Sequence, residues 1–327
     1  MSRIITFFVG LISFSIHSQS YAPAANESGT NAISKDSNIF VSWATGIELT
    51  RGFLNISDTN FALNDVNKAT YGLPEAALYQ AEGNSADIVS LGDGGIATLT
   101  FDAPIKNGIG ADFAVFENSF LANFLELAFV EVSSDGIHFL RFPAHTEVPF
   151  ANQIGGFEFI DCRYLNNFAG KYEQGFGTPF DLSDLPQDSL LNLDYITHVR
   201  IVDVVGSIDS LFATFDSFGN MVNDPFPTAF ESGGFDLDGV GVIHQGILGI
   251  NENFQNFSIY PNPAKTEISI ATSEYCDIQI LDLSGKIIDS FSVESFIKVN
   301  LQNLEKGVYM LNINSESGRS SKKLILE

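Results

Sequence analysis

Cysteine is nearly missing: Cys162 and Cys276 are the only two in 327 residues, and no C-x-x-C spacing occurs. Neither a disulfide framework nor a zinc-thiolate site is supported, and two lone buried thiols are expected. Basic side chains are scarce as well, with 16 Lys and Arg against 40 Asp and Glu and a net charge of -24. Nucleic acid and anionic membrane surfaces would repel such a chain, so neither is expected as a partner. The charge suits calcium, cationic ligands or plain solubility outside the cell. After the N-terminus no apolar run approaches the roughly eighteen residues of a membrane-spanning helix. G-x-S-x-G, H-E-x-x-H and G-x-x-x-x-G-K-S/T patterns are all missing, and His138, His145, His198 and His244 stand singly. Leu91-Gly92-Asp93-Gly94-Gly95 is glycine-rich but leads into a strand, so it lacks the helix N-terminus that phosphate binding uses.

What is present falls into segments. Arg3 and the apolar run Ile4 to Ile16, followed by small residues around Ser18 to Ala22, form an export signal over residues 1–20. An extended leader, 21–38, precedes a module at 39–250, a linker at 251–256 and a distinct tail at 257–327. Of the 40 acids, 31 precede residue 257, together with 9 of the 16 bases, so the excess charge belongs to the module.

Helical periodicity is almost missing from the module. Residues 97–101, 113–117, 127–133, 138–142, 199–205 and 235–243 read as short strands. Ser133-Ser134-Asp135-Gly136 joins two of them through the Asp-Gly pair that favours a tight hairpin. Asp181 to Leu191 is the best candidate for a short helix. Many short strands, long loops and little helix predict an all-β fold, a two-sheet jelly-roll-like β-sandwich. In the tail, runs around Ile268, Ile278 and Val308 are separated by turns at Asp282 to Lys286 and Glu305 to Gly307. They predict a second, smaller immunoglobulin-like β-sandwich.

Four tail motifs occur in order: Phe257-Ser258-Ile259-Tyr260-Pro261-Asn262-Pro263-Ala264, Ile278 to Lys286, Leu304 to Leu311, and Lys322 to Glu327. That order resembles the type A C-terminal sorting domain of the type IX secretion system of Bacteroidetes. The resemblance implies passage through the periplasm to the outer surface or the medium, with the secretion machinery as partner of residues 257–327. In the module, Lys68 to Pro74, Ser90 to Gly95 and Leu99 to Phe101 are similar to the opening of galactose-binding-like, or discoidin-like, sandwiches. Phe129 to Gly136 looks like the paired central strands of that superfamily. Asp112 to Asn118, Ala169 to Tyr172, Val202 to Ser207 and Gly234 to Gly241 resemble a group of secreted Bacteroidetes cell-surface proteins. That group implies a fold and a location without a reaction.

Carboxylates inside apolar strands are the most suggestive chemistry. Alternation puts Phe113, Val115 and Glu117 on one face, and Asp203 in phase with Val199, Ile201 and Val205. Asp236 and Asp238 share the face opposite Phe235 and Leu237, where two carboxylates repel unless water, arginine or a cation separates them. The galactose-binding-like fold often carries a structural calcium, an ion that takes six to eight oxygens. The resemblance therefore implies Ca2+, with Asp112, Glu117, Asp203, Asp236 and Asp238 as candidate ligands. The competing expectation pairs Glu117 and Asp203 with Arg200, Arg141 or backbone amides and leaves Asp236 and Asp238 to solvent. Between Asp209 and Gly234, five phenylalanines, among them Phe226 and Phe230, stand among Asp216, Asn220, Asn223 and Asp224. They suit either a sugar-binding face or a loop packed beneath itself, and the lack of a polar handle on phenylalanine favours packing. Glu117, Glu126 and Glu131 are the carboxylates a glycosidase reading would nominate.

The sequence thus predicts an exported, secreted or surface-held module that binds a glycan or another extracellular ligand without catalysis and is stabilised by calcium. A structural or adhesive surface protein and a carboxylate-dependent polysaccharide hydrolase are the alternatives.

Overall fold

Runs of valine, isoleucine and phenylalanine between glycine, proline and asparagine turns keep this chain extended, because β-branched and aromatic side chains pack best on a pleated surface. The computed structural model describes residues 21–246, 257–283, 285–315 and 318–327. The expected export signal, 1–20, and linker, 251–256, lie outside the described residues. The chain divides between residues 246 and 247 into two compact units.

Seven longer strands build the first unit: β1 (Gly46–Thr50), β2 (Ile96–Ile105), β3 (Phe113–Glu117), β4 (Ala128–Ser133), β5 (Phe176–Phe180), β6 (Ile196–Asp203) and β7 (Asp236–Val242). One sheet runs Ile33–Ser34, β5, β3, β7 and Ser42–Trp43, with Val89–Ser90 also on β7; the other runs β1, β2, β6, β4 and Leu140–Arg141. From β2 onward, successive longer strands alternate between the sheets, which is the jelly-roll-like sandwich expected. Phe113, Val115, Leu237 and Val240 from one sheet meet Val130, Val199 and Ile201 from the other in the shared core. The opposite face of β3 is covered too, with Ala114 and Phe116 beneath Phe40 and Trp43. Each fully buried side chain of this size contributes about 1.5–3 kcal/mol. A one-residue slip would exchange the two faces, so burial fixes the register.

Four expectations change. Over 181–191 only a 3-10 turn forms, Leu182–Asp184, because Pro186 forces Leu185 to extended backbone at ψ 140°. The strand expected at 138–142 shortens to Leu140–Arg141. The extended leader expected at 21–38 is part of the first unit: Ile33–Ser34 pairs with β5, and the Tyr172 hydroxyl donates to Asn31 Oδ1. Ser133 to Gly136 does lie between two paired strands, but Val132 pairs with Leu140, so the tight hairpin read at Asp135-Gly136 is instead a longer loop, with Gly136 at φ 75° and Asp135 Oδ1 accepting from Ile137 N and His138 N.

The second unit is a small two-sheet sandwich of β8 (Phe257–Tyr260), β9 (Glu267–Thr272), β10 (Cys276–Leu281), β11 (Ile287–Val293), β12 (Phe296–Asn300), β13 (Gly307–Ser315) and β14 (Gly318–Leu326). Its sheets run β8-β9-β12 and β11-β10-β13-β14. Ile268, Ile270, Ile278, Ile280, Leu311 and Ile313 fill the space between them. Cys162 and Cys276 are both free and buried, one in each unit, as expected.

Candidate functional site

One end of the first sandwich gathers acids. Antiparallel pairing places the end of β3 beside the start of β7, with Leu237 opposite Glu117. It also sets Asp203, at the end of β6, opposite Ala128 at the start of β4. Loops arriving from both sheets bring Asp93, Asp224 and Glu126 to this same end. Asp203 Oδ2 accepts from Gly94 N at 2.8 Å and its Oδ1 from Phe235 N at 2.7 Å. Asp224 Oδ2 accepts from Leu127 N at 3.0 Å, and Asp93 Oδ2 from Ile56 N at 2.8 Å. Glu117 Oε2 takes the Ser119 N–H at 2.9 Å. Gly234 permits the approach to Asp203: its φ is +75°, and a Cβ there would lie 2.9 Å from Asp203 Oδ1.

Burial costs a carboxylate its hydration, and here the acids also face one another. It pushes Glu117 well above the usual carboxylate range, reinforced by Asp236 and opposed by the Ser119 N–H. Glu126 moves the same way, first by burial and then by Asp236 and Glu117. Burial, reinforced by Asp93, raises Asp203. It raises Asp224 against the opposing Leu127 N–H. It also lifts Asp93 and Asp236 each to about 7. The Ser90 hydroxyl, the Asn118 side chain and the positive charge of Arg51 oppose the shift at Asp236. None of them closes a hydrogen bond on Asp236 Oδ1, which is buried without a partner. The Arg51 guanidinium is itself held by carbonyls, donating to Tyr71 O and Ser90 O at 2.7 Å each and to Gly72 O.

Above these acids a pocket of about 370 Å³ opens. Tyr71, Phe120, Phe124, Phe157 and Phe230 form its rim, while Asn118, Glu126 and Asp236 are among the polar residues lining it. Phe120 stacks on Phe124 at 5.3 Å between centroids, and Phe157 leans on Phe230 at 5.5 Å. Phe157 is 74% exposed, whereas Asp236 is only 5% exposed. Glu126 lines the pocket and is half-buried.

The five predicted calcium ligands do not share one site. Asp112 sits at the far end of β3 from Glu117, five residues or roughly 17 Å along an extended strand. Its Oδ1 accepts from Gly108 N at 2.7 Å and lies 2.8 Å from His244 Nδ1, while Oδ2 accepts from Leu182 N. Asp112 is therefore a staple between loops. Asp238 accepts from Glu82 N and Gly83 N and is buried rather than solvent-facing. A bulge between Leu237 and Gly239 disrupts the simple alternation there. Glu117, Asp203 and Asp236 remain at the acidic end. Among the described residues, no three histidines, cysteines or acids are arranged as metal ligands. The backbone-amide expectation holds for Asp203, while Arg141 and Arg200 pair with Glu131 on the outer face of β4.

Glu126, in the sequence only a glycosidase candidate beside Glu117 and Glu131, meets Asp236 through the tertiary structure alone. The phenylalanine-rich loop divides between its two readings: Phe226 is buried, and Phe230 turns to the pocket rim. Asp216 and Asn223 brace the loop through Thr146 N and Ile154 N.

The tail is the part that known proteins identify. Residues 258–327 match the secretion system C-terminal sorting domain. This sorting domain directs the chain to type IX export, to the cell surface or the medium. No helix among the described residues is long and apolar enough to cross a membrane. No curated protein matches the chain. Among solved structures, a biofilm associated protein BSP domain aligns at 11% identity over 71% of this chain and 48% of its own, with a TM-score of 0.19. A β-glucuronidase from Ruminococcus gnavus bound to uronic deoxynojirimycin aligns at 10% identity over 90% of this chain and 47% of its own, TM-score 0.23. That of Faecalibacterium prausnitzii aligns at 12% over 90% and 46%, TM-score 0.21. The chain spans less than half the length of each of these proteins. Overlaps this loose carry no argument about activity.

Proposed function

We propose that the first unit is an exported, non-catalytic binding module for a glycan or another extracellular ligand, and that the aromatic-rimmed pocket over Glu126 and Asp236 is its site. The carrying observation is the combination of exposed rings at the mouth with a buried carboxylate oxygen that has no protein partner below. Concave sites lined by aromatic side chains with a few oriented polar groups are where small ligands bind. The galactose-binding-like resemblance agrees with a site built from loops at one end of a sandwich. Screening the full chain on a glycan and metabolite panel, beside Phe230→Ala and Asp236→Asn, tests this reading. Binding lost in both variants supports it; binders indifferent to both changes would remove it.

Calcium stabilisation is a separable proposal, narrowed to Glu117, Asp203 and Asp236, and it requires those side chains to converge on the ion. A rise in Tm with millimolar calcium that disappears on chelation would support it, and no change would end it. Hydrolysis is the second reading, because Glu126 and Asp236 place two carboxyl groups at one pocket, where one can serve as acid and the other as base. Release of reducing ends from a polysaccharide, abolished by Glu126→Gln, would be required.

A further inference from the structure

The pocket floor has a charge imbalance that its surroundings do not correct. Glu126 and Asp236 line it, with Glu117 close enough to act on both. Arg51 is the cation facing Asp236, and three carbonyls already hold its guanidinium. Among the described residues no hydrogen bond or ion pair reaches the Glu126 carboxylate. Asp236 Oδ1, on a residue 95% buried, lacks a partner. Buried carboxylates in this condition hold protons or attract a cation.

The lining selects which cation. A hard ion such as calcium asks for six to eight oxygens. The rim supplies carbon faces instead: Phe120, Phe124, Phe157 and Phe230, with Tyr71 beside them. Ring faces attract an ammonium through their quadrupole, and they tolerate the C–H groups attached to it. Rings around carboxylates match a nitrogen cation carried on carbon.

We infer that the pocket takes the ammonium group of an organic amine, seated over the Glu126 and Asp236 carboxylates and enclosed by the aromatic rim. This rests on the pocket being the module's binding site. An amino sugar and a quaternary alkylammonium present the same chemistry from two sources.

Titration calorimetry on the full chain at pH 7 with glucosamine, N-acetylglucosamine, glucose and choline tests the inference. Glucosamine, choline or both should bind, while the two neutral sugars bind at least tenfold more weakly. Glucosamine alone would indicate a sugar source, and choline alone a quaternary one. Asp236→Asn keeps the shape and removes a charge, so it should weaken the amine on the order of tenfold or more. Phe157→Ala should weaken it several-fold through the lost ring face. Neutral sugars binding as tightly as glucosamine would overturn the inference while leaving the pocket reading intact. An amine that binds equally to wild type, Asp236→Asn and Phe157→Ala would overturn both. No amine binding, beside a calcium-induced shift lost in Asp236→Asn, would overturn it in favour of a metal site. No binding of any probe would overturn it as well.

Discussion

Replacing Asp236 by asparagine should stabilise the protein, and the gain should grow with pH. Burial lifts the Asp236 pKa from 3.8 to about 7 in the folded chain. An acid raised in this way binds its proton more tightly folded than unfolded. Its stability contribution is greatest at low pH and declines as pH climbs from the unfolded value through the folded one. At 1.36 kcal/mol per unit, an ionised Asp236 costs about 4 kcal/mol well above pH 7. Integrating between the two pKa values puts about 2–3 kcal/mol of that loss between pH 5 and pH 8. Asparagine keeps the size of the side chain and carries no charge to bury. The Asp236→Asn gain should therefore be larger at pH 8 than at pH 5 by about 2–3 kcal/mol, or roughly 5–10 °C in Tm for a unit of this size. Trp43 is the only tryptophan in the chain and packs on Phe40 and Phe116 within the first unit, so its fluorescence follows this unit alone. A gain identical at both pH values, or a loss at pH 8, would refute the claim that ionised Asp236 is a buried burden.

Three further outcomes follow from the same geometry. Asp112→Ala strands the N–H groups of Gly108 and Leu182 and releases His244, so urea unfolding read at Trp43 should show a loss of about 3–5 kcal/mol; a loss below 1 kcal/mol would contradict the staple. Gly234→Ala introduces a Cβ 2.8 Å from the Gly92 carbonyl carbon at a φ of +75°, which should cost about 2 kcal/mol or more by the same assay. Removing residues 257–327 should hold the protein inside the envelope in a fractionation experiment while leaving the Trp43 transition in place, because the first unit has its own core; a shortened chain in the medium would refute the sorting role.

Much of this fold was legible residue by residue. Phe113 to Glu117 announced a strand, and β3 spans those five residues. Burial on both faces by Phe180 and Phe142 on one side and by Phe40 and Trp43 on the other could not be read from alternation alone. The inward carboxylates were legible for Glu117 and Asp203, since a period of two is local. Asp238 was misplaced because the bulge at Leu237 and Gly239 adds a residue whose sole signal is a glycine. The short helix failed at Pro186, where a proline six residues into the segment outweighed its leucines.

By itself, the sequence determined the all-β class, the split between module and tail, and the export route, because each depends on short patterns: alternation, turn residues and ordered motifs. Tertiary structure alone decided which acids meet. Glu126 and Asp236 are 110 positions apart in the chain, and Asp112 is five from Glu117, yet the first pair shares a pocket and the second does not. Strand pairing across a sandwich sets that outcome: an extended strand carries near neighbours to opposite ends, while antiparallel register returns distant residues to the same one.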